Sequence, residues 1–430
     1  MKQEFFKYVS GNILGMIGIS VYILADTFFI SLCKGADGIT VLNLALPLYG
    51  LLFAIGSMIG VGSATRYSIK KAQKKGNTEE YFIHAILWQL LFSLPFILLG
   101  ILRPEWWLQI MGGDPVIAEL GKAYTRIVLI GSPFFMMNYT FTAFARNDNA
   151  PSVAMAAMLG ASGFNIEFDY LFMFPLGMGL SGAALATAMS PVVSSLICCS
   201  HFFSEKCTIG FRWTGLSVKR LVSSCKLGVS AFVGEISSAV TTTVFNMLLL
   251  RLSGNIAVAA YGVAANYSLV AMAFFNGISQ GMQPLLSRAC GQGKKNEEKE
   301  LLQMGLLVCL GLELLIVGIF WIFTDPLAAV FNSEKNTELA GLAHTALRLY
   351  FLGYLAAGIN MVLTTWFSAT GKALAASIAS LLRGAAAIVV CAVVMGAIWG
   401  LNGIWLSFFA SEIITLIVIL ILIWRENSRR

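Results

Sequence analysis

Residues 413–423 read Ile-Ile-Thr-Leu-Ile-Val-Ile-Leu-Ile-Leu-Ile, an apolar run interrupted by a single threonine. The strands of a membrane β-barrel alternate apolar and polar residues, and this run does not alternate. A helix satisfies its backbone hydrogen bonds internally, which is necessary in hydrocarbon because lipid tails offer no partners. The run therefore predicts a membrane-spanning helix.

The composition extends this prediction to the whole chain. Of its 430 residues, 57% are apolar and 12% are charged, whereas soluble domains carry about 25% charged residues. A helical crossing needs about 20 apolar residues. Twelve suitable segments are centred near residues 21, 52, 91, 131, 162, 191, 238, 273, 312, 352, 385 and 413. We predict an all-α membrane protein with twelve transmembrane helices in the lipid bilayer.

The net charge of +7 is concentrated in short clusters between the apolar segments. Stretches 66–75, 206–226 and 288–299 and the tail 425–430 are rich in Lys and Arg, whereas the intervening loops carry little positive charge, with Lys34, Arg103, Arg251 and Lys335. Basic loops lie on the cytoplasmic side, so we expect a multi-pass protein of the cell membrane with both termini cytoplasmic. This pattern disfavours nucleic-acid binding. The eight Cys and three His show no metal or redox spacing, so no cofactor is expected.

The two halves of the chain resemble each other. Gly62 and Gly281 lie 219 positions apart, and each is expected to end a long apolar helix before a basic stretch. The sequences 179–182 (Gly-Leu-Ser-Gly) and 400–403 (Gly-Leu-Asn-Gly) open the sixth and twelfth segments. Each repeat crosses the membrane six times, an even number, so both copies start on the same side of the membrane. This predicts two lobes, 1–214 and 215–430, related by a pseudo-two-fold axis along the membrane normal. The alternative is chance similarity between glycine-rich helices.

Four polar residues of the first half fall at one depth. Asp26 lies about 18 residues into the first helix and Asp169 about 19 residues into the fifth, which at 1.5 Å per residue gives nearly equal heights. Asn165 is one helical turn from Asp169 on the same face, and Thr187 in the sixth helix reaches the same level. These groups suit a Na⁺ ion or a proton shared between two carboxylates. The alternative is a polar network that only holds helices together.

Other charged residues at depth have different interpretations. Arg383 and Glu412 have matching heights in the second half and are predicted to form a structural ion pair. Glu235 in the seventh helix is a candidate substrate or proton site, with pairing as the alternative. Glu167 is two residues from Asp169 and should face another side of its helix, and Glu313 is an isolated carboxylate.

Aromatic and methionine side chains are abundant and most are expected to face lipid or the core. Those that line a cleft could hold planar apolar cations by dispersion and cation–π contacts. Tyr139 and Met282 are candidates, together with Met136, Phe274 and Phe275.

Several motifs resemble those of the MATE (multidrug and toxic compound extrusion) transporters. They are Asp26-Thr27-Phe28-Phe29-Ile30, Gly60-Val61-Gly62, Arg146-Asn147-Asp148, Asn165-x-x-x-Asp169, Gly179-x-x-Gly182-Ala183-Ala184-x-Ala186-Thr187, Ala260-Tyr261-Gly262 and Ser279-Gln280-Gly281-x-Gln283-Pro284. The resemblance, carried by the order and spacing of these motifs, covers nearly the whole chain. One departure is Tyr170, where the family would have Pro, which puts a bending movement of the fifth helix in doubt.

The resemblance implies two six-helix lobes around a central cleft and export of organic cations and amphiphiles in exchange for Na⁺ or H⁺. It also implies a cation site at Asp26, Asn165, Asp169 and Thr187. Gln283 joins Glu235, Tyr139 and Met282 as a possible substrate or proton residue. We expect a monomeric secondary transporter rather than an enzyme. A flippase of a lipid-linked precursor in the same superfamily is the alternative, although few deep cations other than Arg383 are present to bind pyrophosphate. A membrane-embedded enzyme would need a catalytic cluster, and a receptor would not need twelve duplicated helices.

Overall fold

The computed structural model describes residues 1–74, 78–213, 215–330 and 336–428. All regular secondary structure in these residues is helical. Lys75, Lys335, Arg429 and Arg430 of the basic pattern lie outside the described residues, as does residue 214 at the predicted boundary between the lobes.

The described residues form twelve membrane helices, counted here in chain order. The first ten are Lys2–Gly35, Asp37–Ala72, Tyr81–Leu102, Pro115–Ile130 with Ser132–Asn147, Pro151–Met173, Leu180–Phe202, Val218–Gly254, Ile256–Gly291, Lys295–Ile322, and Thr337–Phe351 with Tyr354–Ala369. The eleventh and twelfth lie within Ala373–Leu381, the π-helical turn Leu382–Ala386 and Ala387–Ser428, which is broken at Gly400.

Length and hydropathy support this count. Eight continuous segments qualify as spans, or ten if the two bent pairs are included. One of the eight, Ala373–Arg425, has 53 residues, about 80 Å of helix, which is enough for two crossings of a core about 30 Å thick. Pro151–Met173, with 23 residues, completes the twelve.

The internal repeat is visible in the backbone. Gly35 (φ 55°, ψ −139°) and Gly254 (φ 69°, ψ −157°) separate the first two helices of each half. Gly179 (φ 56°, ψ −135°) and Gly400 (φ 58°, ψ −135°) precede the last helix of each half. Residues with a side chain rarely adopt these angles, so glycine is required at all four reversals. The paired breaks lie 219 and 221 positions apart, which supports two lobes of six helices.

Bends and short helices repeat as well. The fourth helix bends by 43° after Ile130, and the tenth bends by 40° after Phe351. Short helices, Glu105–Ile110 and Thr324–Val330, precede them in the two lobes.

The two repeated glycines differ from the prediction in one respect. Gly62 and Gly281 do not end their helices, which continue for ten residues to Ala72 and Gly291. A Cβ on Gly281 would lie 2.8 Å from Val9 Cα, and one on Gly62 would overlap the Ser224 carbonyl oxygen. These glycines are therefore places where the backbone of the opposite lobe approaches closely, not helix ends.

The lobes meet on the side of the bundle where the N-terminus lies, which we call the terminal side. On this side Gly228 of the seventh helix faces the Met58 carbonyl, and Gly277 of the eighth faces Ile13. The opposite side, where Gly35 and Gly254 reverse the chain, is called the far side.

Polar contacts between the lobes follow the same pattern. Arg288 forms an ion pair with Glu4 at 2.7 Å, and Gln283 Nε2 donates to Thr65 Oγ1 at 2.9 Å. The deepest contact along the first helix joins the Ser20 hydroxyl to the Leu269 carbonyl at 3.4 Å. Among the described residues, hydrogen bonds and ion pairs between the lobes lie between the terminal ends and the middle of the helices. The lobes are thus held together on the terminal side, and the cleft opens on the far side.

Candidate functional site

Asp26 and Asp169 lie together in the first lobe. Asp26 is in the first helix, nine residues before the Gly35 reversal, and Asp169 is in the fifth helix. Their side chains are within hydrogen-bonding reach of each other, and the residues are 8% and 0% exposed. Both oxygens of Asp169 and Oδ1 of Asp26 are buried and have no donor among the described residues of the protein. Two acceptors that face each other need a proton or a cation between them, because neither ionised carboxylate can donate.

Asn165 and Thr187 are adjacent to the carboxyl groups in the folded lobe. Asn165 lies one helical turn before Asp169, so both side chains face the inside of the lobe. The Asn165 amide nitrogen donates to the Thr187 hydroxyl at 3.2 Å. The amide oxygen of Asn165 takes no part in this bond. That oxygen, Asn165 Oδ1, is also buried, and it too has no hydrogen-bond partner in the described part of the chain. The structure therefore brings together all four residues of the predicted cation site.

This set of oxygens can hold a cation in two ways. A single proton can bridge the two carboxyl groups, as in a carboxylate dyad. Alternatively, the two carboxylates, the Asn165 amide oxygen and the Thr187 hydroxyl offer oxygen ligands of the kind that a hard cation such as Na⁺ prefers.

Tyr139 and Glu235 connect the two lobes. The Tyr139 hydroxyl, on the fourth helix, donates to Glu235 Oε1 of the seventh helix at 2.9 Å. Glu235 is half-buried. Tyr22, one turn before Asp26, lies close enough to Asp26, Asp169 and Glu235 to interact electrostatically with each carboxyl group. Sequence reasoning missed Tyr22, because a tyrosine in an apolar helix gives no signal of its own until its neighbours are known.

Met282 and Gln283, the other two candidate substrate or proton residues, lie away from Tyr139 and Glu235. Met282 is buried in the second-lobe core against Gly305, where the missing side chain leaves room for its thioether. Gln283 is buried between the lobes on the terminal side and bonds Thr65 and Asn147. Periodicity could not separate these neighbours, because their helix is apolar on several faces.

Arg383 and Glu412 form an ion pair in the second lobe. Arg383 Nε donates to Glu412 Oε1 at 2.8 Å, and the Asn360 amide donates to Glu412 Oε2 at 2.7 Å. Arg383 belongs to the π-helical turn Leu382–Ala386. Both carboxylate oxygens of Glu412 thus have donors from the protein, unlike those of Asp169. The structure places this pair as a closed structural unit.

The other two acidic residues at depth, Glu167 and Glu313, lie outside the first-lobe cluster. Glu167 is exposed on its helix and does not join the first-lobe cluster. Glu313 is fully buried, and its Oε1 accepts from the Ile359 backbone amide at 3.0 Å. It therefore contacts the tenth helix, and Glu412 lies close enough to interact with it electrostatically.

A separate polar cluster surrounds Asp148 on the terminal side. Lys71 Nζ and His201 Nε2 each lie 2.9 Å from one of its carboxylate oxygens. The Thr208 backbone amide donates to Oδ2 at 2.8 Å, and the Thr208 hydroxyl also contacts the carboxylate. Burial raises the pKa of Asp148, but hydrogen bonds from Thr208 and Lys71 outweigh it, so the pKa is lowered overall.

This cluster was not predicted, since Lys71, Asp148 and the stretch 201–208 are far apart in sequence. Only the Arg146-Asn147-Asp148 motif pointed to part of it. Ligand atoms of Asp148, His201 and Cys207 lie within 4.8 Å of one another. The positive charge beside the carboxylate is already supplied by Lys71. The cluster therefore anchors the segment after the sixth helix to the first lobe.

Comparisons with known proteins agree with this architecture. A sequence model of the MatE family matches residues 12–171 and again residues 231–393. Multidrug export protein MepA of Staphylococcus saprophyticus is 25% identical over 419 residues, covering 97% of this chain and 92% of that protein. MepA of Staphylococcus aureus is 25% identical over 422 residues, with the same coverage.

Solved structures show the same fold. A multidrug resistance MATE family transporter of the MOP superfamily, described in an outward-facing conformation, superposes with a TM-score of 0.92 at 21% identity, covering 100% of this chain and 96% of that one. A MOP superfamily transporter from Pyrococcus furiosus, described as having a binding pocket of reverse polarity, gives a TM-score of 0.91 at 20% identity, covering 99% and 96%. The matched regions include Asp26, Asn165 and Asp169 in the first half and Glu235 in the second. The chain therefore belongs to the MatE family, the MATE multidrug efflux transporters.

Proposed function

We propose that this protein exports organic cations and cationic amphiphiles by antiport with H⁺ or Na⁺, alternating between two openings of the cleft. The observation that carries the proposal is the buried Asp26–Asp169 pair, in which both oxygens of Asp169 and Oδ1 of Asp26 have no protein donor within the described residues. Ionised carboxylates are costly inside a membrane, and an uncompensated pair is more costly still. Such a pair is suited to taking up and releasing a cation.

Coupling follows if the cation binds one state of the transporter better than the other, because a ligand shifts an equilibrium only by its differential affinity. With cytoplasmic termini, the structure corresponds to a cleft open to the outside. A cation entering from outside would neutralise Asp26 and Asp169 in this state and favour release of the substrate there. Return to the inward-open state would then carry the cation into the cell.

The Tyr139–Glu235 contact supports an organic cation as the substrate. Glu235 is half-buried between the lobes and offers a negative charge to an organic cation, while Tyr139 and neighbouring rings, such as Phe53 at 5.9 Å, offer aromatic faces. A cation that displaces the Tyr139 hydroxyl from Glu235 would contact both lobes. This would make its binding sensitive to the opening of the cleft.

The first experiment measures efflux of a cationic dye from cells with and without the protein. Asp26→Asn and Asp169→Asn should each abolish gradient-driven efflux while expression is retained. Glu167→Gln is the matched control, because Glu167 lies two residues from Asp169 on the same helix but is exposed, and it should behave as wild type. Wild-type efflux in both aspartate variants would refute the proposed coupling site.

The coupling ion is identified with reconstituted vesicles under a pH gradient or a Na⁺ gradient. A response to the pH gradient alone supports a proton shared by the carboxyl pair, and a response to Na⁺ alone supports coordination that includes Asn165 and Thr187. Transport of a lipid-linked pyrophosphate without dye efflux would instead support the flippase function.

A further inference from the structure

A cavity of about 790 Å³ lies on the terminal side of the second lobe, away from the cleft. Its walls come from the beginning of the seventh helix, the loop between the tenth and eleventh helices, the eleventh helix and the end of the twelfth helix. The lining includes Lys226, Val229, Lys372, Leu374, Leu422 and Arg425. None of these residues takes part in the transport site.

One part of this cavity is strongly basic. Lys226, Lys372 and Arg425 come from three different parts of the chain and meet at the cavity. Within the described residues, no carboxylate forms an ion pair with Lys226 or Arg425. The helix Ala373–Leu381 begins at the same place, and its N-cap residue, Lys372, provides no side-chain cap. Its free N–H groups add to the positive potential.

The two lobes differ in charge at equivalent positions after the fourth and the tenth helix. The fourth helix ends at Asn147 and the tenth at Ala369, so Asp148 corresponds to Thr370 in the repeat. In the first lobe, Asp148 accepts from Lys71 and thereby compensates its charge. In the second lobe Thr370 stands in place of this carboxylate, and Cys290 contacts it where the first lobe has Lys71. Lys226 and Arg425 are therefore additional cations, and within the described residues no carboxylate of the second lobe pairs with them.

The rest of the cavity is apolar and faces the lipid. Leu374 is 76% exposed, and Leu422, Val229 and Ile378 complete this wall. Trp424, next to Arg425, is 69% exposed, and tryptophan is typical of the membrane–water boundary. The cavity therefore offers cations toward the aqueous phase and an apolar wall toward the hydrocarbon.

We propose that this cavity binds the phosphate headgroup of an anionic phospholipid, with the beginning of an acyl chain against Leu374 and Leu422. Lys226 and Arg425 contact the phosphodiester, and the N-terminus of the eleventh helix faces the same group. A free phosphate would need only the cations, whereas the apolar wall and its place at the membrane boundary favour a lipid. The site is independent of the cation-coupling residues.

The test uses the full chain, purified in detergent, with short-chain phosphatidylglycerol as the probe. Binding of this lipid should be at least about tenfold tighter than binding of the matching phosphatidylcholine. Lys226→Gln combined with Arg425→Gln should weaken it about 30-fold, as expected for two cations near an anionic headgroup. The control removes the same charge outside the cavity, with Arg212→Gln and Lys219→Gln, and should leave affinity unchanged.

Two further variants keep the proposal testable if the double variant does not fold. Ser377→Glu places a carboxylate in the cavity lining and should compete with the lipid while leaving Lys226 and Arg425 in place. Leu374→Ser combined with Leu422→Ser should weaken lipid binding but not binding of glycerol phosphate. Equal binding of the two lipids, unchanged affinity in all cavity variants, or glycerol phosphate binding as tightly as the lipid would overturn the proposal.

Discussion

The Arg383–Glu412 pair shows how much a buried charge depends on its partner. Glu412 is buried and accepts from both Arg383 and Asn360. Replacing a buried ion pair with apolar residues of similar size is often neutral, whereas removing one partner leaves an uncompensated charge. The two buried acidic sites therefore differ: the charge of Glu412 is compensated by Arg383 and Asn360, whereas an ionised Asp26–Asp169 pair needs a proton or a cation to compensate it.

We predict that Arg383→Met destabilises the protein by about 3–5 kcal/mol, because Glu412 loses its countercharge. Arg383→Met combined with Glu412→Met should recover most of this loss and keep dye efflux. Thermal unfolding in detergent measures the stabilities. A double variant as unstable as the single one would contradict a purely structural pair.

Asp148 gives a pH prediction for a group outside the membrane. Its pKa lies below the ordinary value of 3.8, since hydrogen bonds from Thr208 and Lys71 outweigh the effect of burial. A lowered pKa contributes stability above the unfolded value, and this contribution is lost as pH falls through the folded value. Asp148→Asn should therefore cost about 1–3 kcal/mol at neutral pH, and the difference from wild type should shrink only below about pH 4.

Thermal unfolding between pH 3.5 and 8 checks this expectation. Asp325→Asn is the control, because Asp325 also pairs with a histidine, His344, but its side chain is 82% exposed. Exposed pairs contribute less than about 1 kcal/mol, so this variant should stay close to wild type at each pH. A difference between Asp148→Asn and wild type that does not shrink below about pH 4 would contradict a stabilising role for the ionised Asp148 carboxylate.

The residues of the first-lobe cluster could be predicted because helical rise is fixed. Counting along the first and fifth helices puts Asp26 and Asp169 at one height, and the spacing of Asn165 and Asp169 sets their common face. The direction of Met282 could not be predicted, because apolar residues on all sides of a membrane helix hide which face meets the core. The partners of Asp148 could not be predicted either, since they depend on how the segment after the sixth helix folds back.

At the scale of the helices, glycine determines how closely the lobes approach. Gly228 lies against the Met58 carbonyl, so that a larger residue would push the second and seventh helices apart. Gly234 lies in the same helix, and none of the described residues comes within 4 Å of the place its Cβ would occupy. The sequence indicated that these helices repeat, but not that glycines in their interior form the contact between the lobes.

We expect Gly228→Leu to separate the lobes on the terminal side, and Gly228→Ala to do so partially. Cys225 packs beside the buried residues Ile59 and Leu221 in this interface, so its labelling by a maleimide reports the separation. Labelling should rise at least about tenfold in Gly228→Leu, as expected when overpacking costs about 1–3 kcal/mol. Gly234→Leu should leave the labelling unchanged, and equal labelling in both leucine variants would argue against this contact as the closing point.

At the scale of the whole molecule, the side on which the lobes close depends on the sum of small contacts. Arg288–Glu4 is an ion pair with both side chains 37% exposed, and such pairs contribute less than about 1 kcal/mol. Gln283 is different, because it is buried and bonds Thr65 and Asn147 of the other lobe. Buried polar groups that lose their partners cost about 1–3 kcal/mol each, so the Gln283 network should dominate the polar part of the closure.

Gln283→Leu should therefore shift the equilibrium toward separation on the terminal side by about 10- to 100-fold, since each 1.4 kcal/mol changes an equilibrium tenfold. Distances between spin labels on the terminal ends of the two lobes measure the populations. Glu4→Gln removes a contact between the same lobes and should change the populations less than about fivefold. If both substitutions shift the distances equally, closure is governed by surface charge and should weaken at high salt, whereas control by Gln283 predicts no dependence on salt.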